Sequence, residues 1–226
     1  MTMYWVLFIA VAIASFAVQQ NLQRKFSKYS EVPLPCGLTG RDVALKMLHD
    51  NGITDIRVTC IEGQLTDHYD PVKKTVNLST DVYNGRNITS AAVAAHECGH
   101  AVQHADGYVP VKMRSSLVPV VQFASTWVTW VLLAGMILIN YFPGIMLAGI
   151  LLFAMTTLFS FVTLPVEIDA SRRAIGWMTH SGLVDGRTVH PAEESLRAAA
   201  YTYVVAALSS LGTLLYYVMI FMGRRN

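Results

Sequence analysis

His96-Glu97-Cys98-Gly99-His100 is the run in this 226-residue chain whose side-chain types and spacing point most directly to chemistry. In a helix, positions four apart stand about 6 Å apart along the axis and about 40° apart around it. Two imidazoles so placed can hold one Zn²⁺ at about 2.0–2.1 Å each. Glu97 flanks such an ion without binding it. It can take a proton from a water activated by the metal and hand it to the leaving amine of a cleaved peptide. Ala91, Ala92, Val93, Ala94, Ala95 and Ala101 surround the run with small, mostly helix-favouring residues, so a buried helix is expected. An accidental match is the bland alternative. It would leave two histidines and a glutamate on a buried helix without partners, which is costly.

A catalytic zinc takes a third protein ligand and keeps one position open. His104 continues the series but lies about 12 Å along the axis from His96, too far to share an ion. The longer HExxHxxGxxH pattern is absent. Glu167 is the better candidate, in Leu164-Pro165-Val166-Glu167-Ile168-Asp169-Ala170-Ser171-Arg172-Arg173. A carboxylate so close to a long apolar run is expensive unless it has a partner. The alternative is a simple ion pair with Arg172 or Arg173.

The elements that must position these groups follow from where charge is missing. The chain is 53% hydrophobic and 14% charged, with a net charge of +2. That excludes a disordered chain and a basic nucleic-acid binder, so no nucleic-acid partner is expected. Cys36, Cys60 and Cys98 are odd in number and unpaired in spacing, which excludes a disulfide framework. No Asp, Glu, Lys or Arg occurs in 1–23, 115–166 or 198–223. A bilayer crossing needs about 20 apolar residues, and the middle gap allows two around Asn140-Tyr141-Phe142-Pro143-Gly144. About four transmembrane helices are therefore expected, near 3–19, 117–139, 144–164 and 202–222.

The organisation expected is an N-terminal anchor (1–23) and a catalytic segment with the HExxH helix (24–114). A transmembrane hairpin (115–166), a segment with the third ligand (167–197) and a C-terminal helix with its tail (198–226) follow. Residues 24–114 and 167–197 hold fifteen of the seventeen Lys and Arg; Arg224 and Arg225 are the others. The positive-inside rule then puts the catalytic side in the cytoplasm of a multi-pass protein in the cell membrane, with the lipid bilayer as a partner.

Within the polar segments, Thr39-Gly40-Arg41-Asp42 opens a helix like a capping box and Asn51-Gly52 ends it. Ile53 to Cys60 suggests a strand. Gln64–Asp70 and Thr75–Ser79 suggest two strands about the turn Pro71–Lys74. The HExxH helix should start near Thr89 or Ser90 and stop at Asp106-Gly107. Pro191, Glu193 and Glu194 should open a helix that runs on into the last span.

Over nearly its whole length the chain resembles the bacterial neutral zinc metallopeptidases of the YugP type. The matching blocks are 65–71, Leu78-Ser79, 81–85, 93–104, 108–114 and 164–173. Its layout is also similar, more distantly, to the HtpX and CAAX-type membrane peptidases, where a membrane hairpin separates HExxH from a ligand glutamate. The resemblance implies a mainly α membrane protein with a small α+β zincin-like catalytic domain and a short edge-strand hairpin. It implies a gluzincin: one Zn²⁺ per chain on His96, His100 and Glu167, with Glu97 as general base and acid. Many gluzincins place an Asp four residues after the ligand Glu. Here Ser171 stands there and the acid is Asp169, so either could orient a ligand histidine. The block 67–71 lies where gluzincins put a substrate-binding edge strand. His68 is a candidate oxyanion donor or else a structural hydrogen-bonder, with Arg172 and Tyr108 as weaker donor candidates.

The expected function is a membrane-embedded zinc-dependent endopeptidase acting on a peptide or membrane-protein segment near the cytoplasmic face. The alternative is a non-catalytic zinc-binding membrane protein, a sensor or accessory. Retention of Glu97 speaks against it.

Overall fold

The structure is a computed structural model. It describes the backbone of residues 2–223 and the side chains in that range other than those of 2–4 and 7. Arg224 and Arg225, counted above for orientation, lie outside the described residues. The chain is mainly helical with one small sheet. In order the elements are α1 (Thr2–Ser30), α2 (Gly40–Asp50), β1 (Arg57–Ile61), β2 (His68–Asp70), β3 (Thr75–Ser79), α3 (Thr80–Asn84), α4 (Ile88–Ala105), α5 (Val109–Ile137), α6 (Pro143–His180) and α7 (Val189–Gly223). They form two compact units.

The first unit comprises Met1–Ala17, Lys112–Pro165 and Thr202–Asn226. Helices α5, α6 and α7 are long and apolar enough to cross a membrane. Lipid offers no hydrogen bonds to a backbone, so a charge-free run must bond within itself, and a helix does so. Three such helices, not four, are found among the described residues. The expected span near 3–19 lies in α1, where Phe8, Ile9, Ile13 and Phe16 form an exposed apolar surface. The apolar core here is Leu132, Met146 and Ile150, with Phe153, Leu214 and Tyr217 packed against it. A Cβ on Gly135 would lie 2.6 Å from Met146 Cα, so glycine is what lets α5 and α6 touch backbone to backbone. Between them Tyr141 and Phe142 N–H groups donate to Leu138 O, and Pro143 opens α6, as a tight turn at 140–144 requires.

The second unit comprises Val18–Val111 and Val166–Tyr201. Its sheet has the order β1-β3-β2. β3 pairs parallel with β1, from Arg57 opposite Thr75 to Ile61 opposite Ser79, and antiparallel with β2, with His68 opposite Asn77. The β2–β3 hairpin is present, but β2 is three residues long rather than running from Gln64. Its turn is held by Asp70 Oδ1, which accepts from the N–H groups of Val72 and Lys73 at 2.9 Å each. The capping box forms: Thr39 Oγ1 accepts from Asp42 N, and Asp42 Oδ2 accepts from Thr39 N.

Helix α4 runs through the core of this unit. Ile88, Ala92, Ala94, Ala95 and Cys98 are fully buried, beside Val43, Ala44 and Met47 of α2 and Val76 and Leu78 of β3. It starts at Ile88, capped by Asn87, whose side chain accepts from Ser90 N. It ends where Gly107 adopts φ +66°, as the sequence suggests.

The span expected near 144–164 stops short of Pro165, and α6 continues through that proline to His180. Proline removes one backbone hydrogen bond. Against that loss stand Val166, Ala170, Ala174 and Met178, spaced four apart and all fully buried, a stripe that packing holds helical.

Candidate metal centre

The i, i+4 spacing on α4 sets His96 and His100 side by side, with ring centroids 4.8 Å apart and planes at 83°. Glu167 comes from α6, on the turn that carries Val166 and Ala170. The approach is close: a Cβ on Gly99 would lie 2.7 Å from Ala170 O. The small residue between the two histidines is thus what admits the second helix.

Glu167 Oε2 lies 3.2 Å from His96 Nε2 and 3.5 Å from His100 Nε2. One donor atom from each of the three residues lies within 4.8 Å of the others, an arrangement able to hold a metal ion. A tetrahedral ion with bonds of about 2.0–2.2 Å keeps its donors about 3.3–3.6 Å apart. The two Glu167 separations lie close to that, and two imidazoles with one carboxylate are a donor set suited to zinc. The carboxylate is only 3% exposed. Burial disfavours charge on His100, but the hydrogen bond to Glu167 and the nearby Glu97 outweigh it, and the ring's pKa is raised. The cluster draws positive charge to itself, as a cation site does.

Each ring turns its other nitrogen to an oxygen. His96 Nδ1 lies 3.1 Å from Ser171 Oγ, and His100 Nδ1 lies 3.1 Å from Gln103 Oε1. Ser171 thus touches His96 directly. Asp169 does not: its Oδ2 accepts from Gln103 Nε2 at 2.8 Å and from Arg173 Nε at 2.6 Å. Gln103, wholly buried, is the contact that the sequence argument passed over. Its signal was there: a polar residue one turn beyond His100, next to small and apolar residues such as Ala101 and Val102.

Glu97 is buried at 8% exposure between its histidine neighbours in sequence. Cys98 is fully buried, burial pushes its thiol pKa up, and its Sγ donates to Ala44 O at 3.5 Å, so it packs as a neutral group. His104 stands away from the cluster, its ring 5.4 Å from that of Tyr69. Arg172 is exposed, and Tyr108 sits under the Arg173 guanidinium at 5.7 Å. His68 lies on β2 with both ring nitrogens engaged. Nδ1 donates to Thr66 O at 2.7 Å and Nε2 accepts from Asn77 Nδ2 at 3.1 Å, bonds that brace the sheet.

The sequence model of the family described as "putative neutral zinc metallopeptidase" matches residues 4–222. The "putative membrane protease YugP" of Bacillus subtilis is 42% identical over 224 residues, 97% of this chain and 99% of that protein. No solved structure matches the chain.

Proposed function

Because the chain belongs to the family of neutral zinc metallopeptidases, we propose that it is a membrane-embedded, zinc-dependent endopeptidase cutting peptide segments close to the cytoplasmic face. The observation that carries this reading is the convergence of His96, His100 and Glu167, 71 residues apart in sequence at the widest, with separations that suit one zinc ion. His96 and His100 would hold it through Nε2 and Glu167 through Oε2, one ion per chain. Zinc held there supplies a Lewis acid that polarises the scissile carbonyl and makes water a nucleophile near neutral pH.

The chain's own groups do the rest. Glu97 takes the proton from the attacking water and delivers it to the leaving amine. Its burial excludes competing solvent and strengthens its field on the developing charges. Ser171 and Gln103 hold the ligand rings in place. β2 is an edge strand of the sheet, and an extended peptide can add to it through main-chain hydrogen bonds. The substrate is therefore an unfolded or extended segment, including one from a membrane protein. Cytoplasmic placement and four crossings, α1 among them, are supported by the Lys and Arg asymmetry and by the charge-free runs.

The test is purified protein, loaded with zinc, acting on an unfolded casein reporter. Glu97→Gln should abolish cleavage while zinc content stays unchanged. Cleavage retained in that variant removes Glu97 from its role. Zinc bound with no cleavage by the intact protein of any extended substrate favours the sensor or accessory reading.

A further inference from the structure

We infer that Gln103 is a positioning residue that fixes the tautomer of His100 and so presents a bare Nε2 to the metal. This rests on the reading of His96, His100 and Glu167 as one metal centre. Gln103 Nε2 lies 2.8 Å from Val166 O and 2.8 Å from Asp169 Oδ2. The first is a carbonyl and the second a carboxylate oxygen already bound by Arg173 Nε, so neither has a hydrogen to give. The amide NH₂ must point at them, and both its hydrogens are then engaged. The amide oxygen is left facing His100 Nδ1 at 3.1 Å, and it can only accept.

His100 must therefore carry its proton on Nδ1. Its Nε2, which faces Glu167 Oε2 at 3.5 Å, is then the nitrogen bared for the metal once the ring is neutral. A metal-binding imidazole needs that nitrogen bare. The partner of His96 has no such authority, because the Ser171 hydroxyl can donate or accept. The asymmetry is specific: one ligand ring is set by a locked amide, the other by an adaptable hydroxyl. Arg173, Asp169, Gln103 and His100 form the chain that does the locking, and Asp169 acts on the centre through Gln103.

The experiment measures zinc affinity by chelator competition on the full-length detergent-purified protein, with the ¹⁵N shifts of His100 in its metal-free form at a pH where the ring is neutral. Gln103→Met removes both donors and the acceptor. It should weaken zinc binding roughly 10–100-fold and move the His100 shifts towards a mixture of tautomers. Gln103→Glu keeps an acceptor at Nδ1 but sets a second carboxylate beside Asp169. It should bind zinc within about threefold of the parent although it is the less stable fold. A purely structural role predicts the reverse order, with affinity following stability. That order, or unchanged affinity and shifts in Gln103→Met, overturns the inference. Glu167→Ala separates the two levels. If it leaves zinc affinity intact, the metal centre itself is lost and this inference with it. If it releases zinc while Gln103→Met does not, this inference alone fails.

Discussion

Gly99→Ala sets two physical effects against each other. In an isolated helix the change is favourable by about 1 kcal/mol, because alanine loses less backbone entropy and is the strongest helix former. In this protein the new Cβ would lie 2.7 Å from Ala170 O and 3.2 Å from Ala170 C and Cα. These are backbone atoms of α6 and cannot swing aside as a flexible side chain does. Ordinary contact needs about 3.4 Å, so α4 and α6 must part by about 0.7 Å at this point. Overpacking of that kind costs about 1–3 kcal/mol. The net effect is a loss of stability of up to about 2 kcal/mol. Glu167 is one turn before Ala170 on α6, so the donor separations of 3.2 and 3.5 Å must widen with the helix. Zinc affinity should fall roughly tenfold or more. The assay is thermal melting with chelator-competition zinc titration. Gly176→Ala, on α6, is the internal control, since a Cβ there meets nothing within 4 Å beyond the neighbouring backbone of its own helix. It should gain up to about 1 kcal/mol and leave zinc untouched. A raised melting temperature and unchanged zinc affinity in Gly99→Ala would refute the close approach of the two helices.

Other expectations follow from single contacts. Glu167→Ala should drop bound zinc from about one ion per chain to a small fraction of that by metal analysis, since two imidazoles alone bind weakly. The Asp42 carboxyl is held below its ordinary pKa by its hydrogen bonds from the Thr39 side chain and backbone. Its folded pKa is depressed, so its contribution is fully present above the unfolded value of about 4 and disappears as pH falls through the folded one. Asp42→Asn should therefore be less stable than the parent near neutral pH and equal to it in strong acid, and Thr39→Ala should cost about 1 kcal/mol near neutral pH. Cys36 and Cys60 are exposed and Cys98 is buried. A thiol reagent should label two cysteines in the native protein and the third only on unfolding, as counted by intact mass.

Local features were legible residue by residue. The capping box at Thr39, the stop at Asn51-Gly52, the cap at Gly107 and the long apolar helices depend on neighbours within a few positions, or on one solvent acting on one run of side chains. The i, i+4 pair of histidines belongs to the same class, because helical pitch alone brings them together. The parallel pairing of β1 with β3 was not legible, since nothing in either strand names its partner. Nor was the passage of α6 through Pro165, where a buried stripe outweighs one lost hydrogen bond.

Chain order alone thus settled which two histidines share a face, which runs form helices long and apolar enough to cross a membrane, and which acid was worth suspecting as their companion. Folding in three dimensions decided the rest: how near Glu167 comes to both rings, that Ser171 rather than Asp169 touches His96, and that Gln103 reaches His100. The reason is range. Helical pitch and solvation act over a few residues, whereas the meeting of α4 and α6 depends on Gly99 lying against Ala170, a contact between helices far apart along the chain.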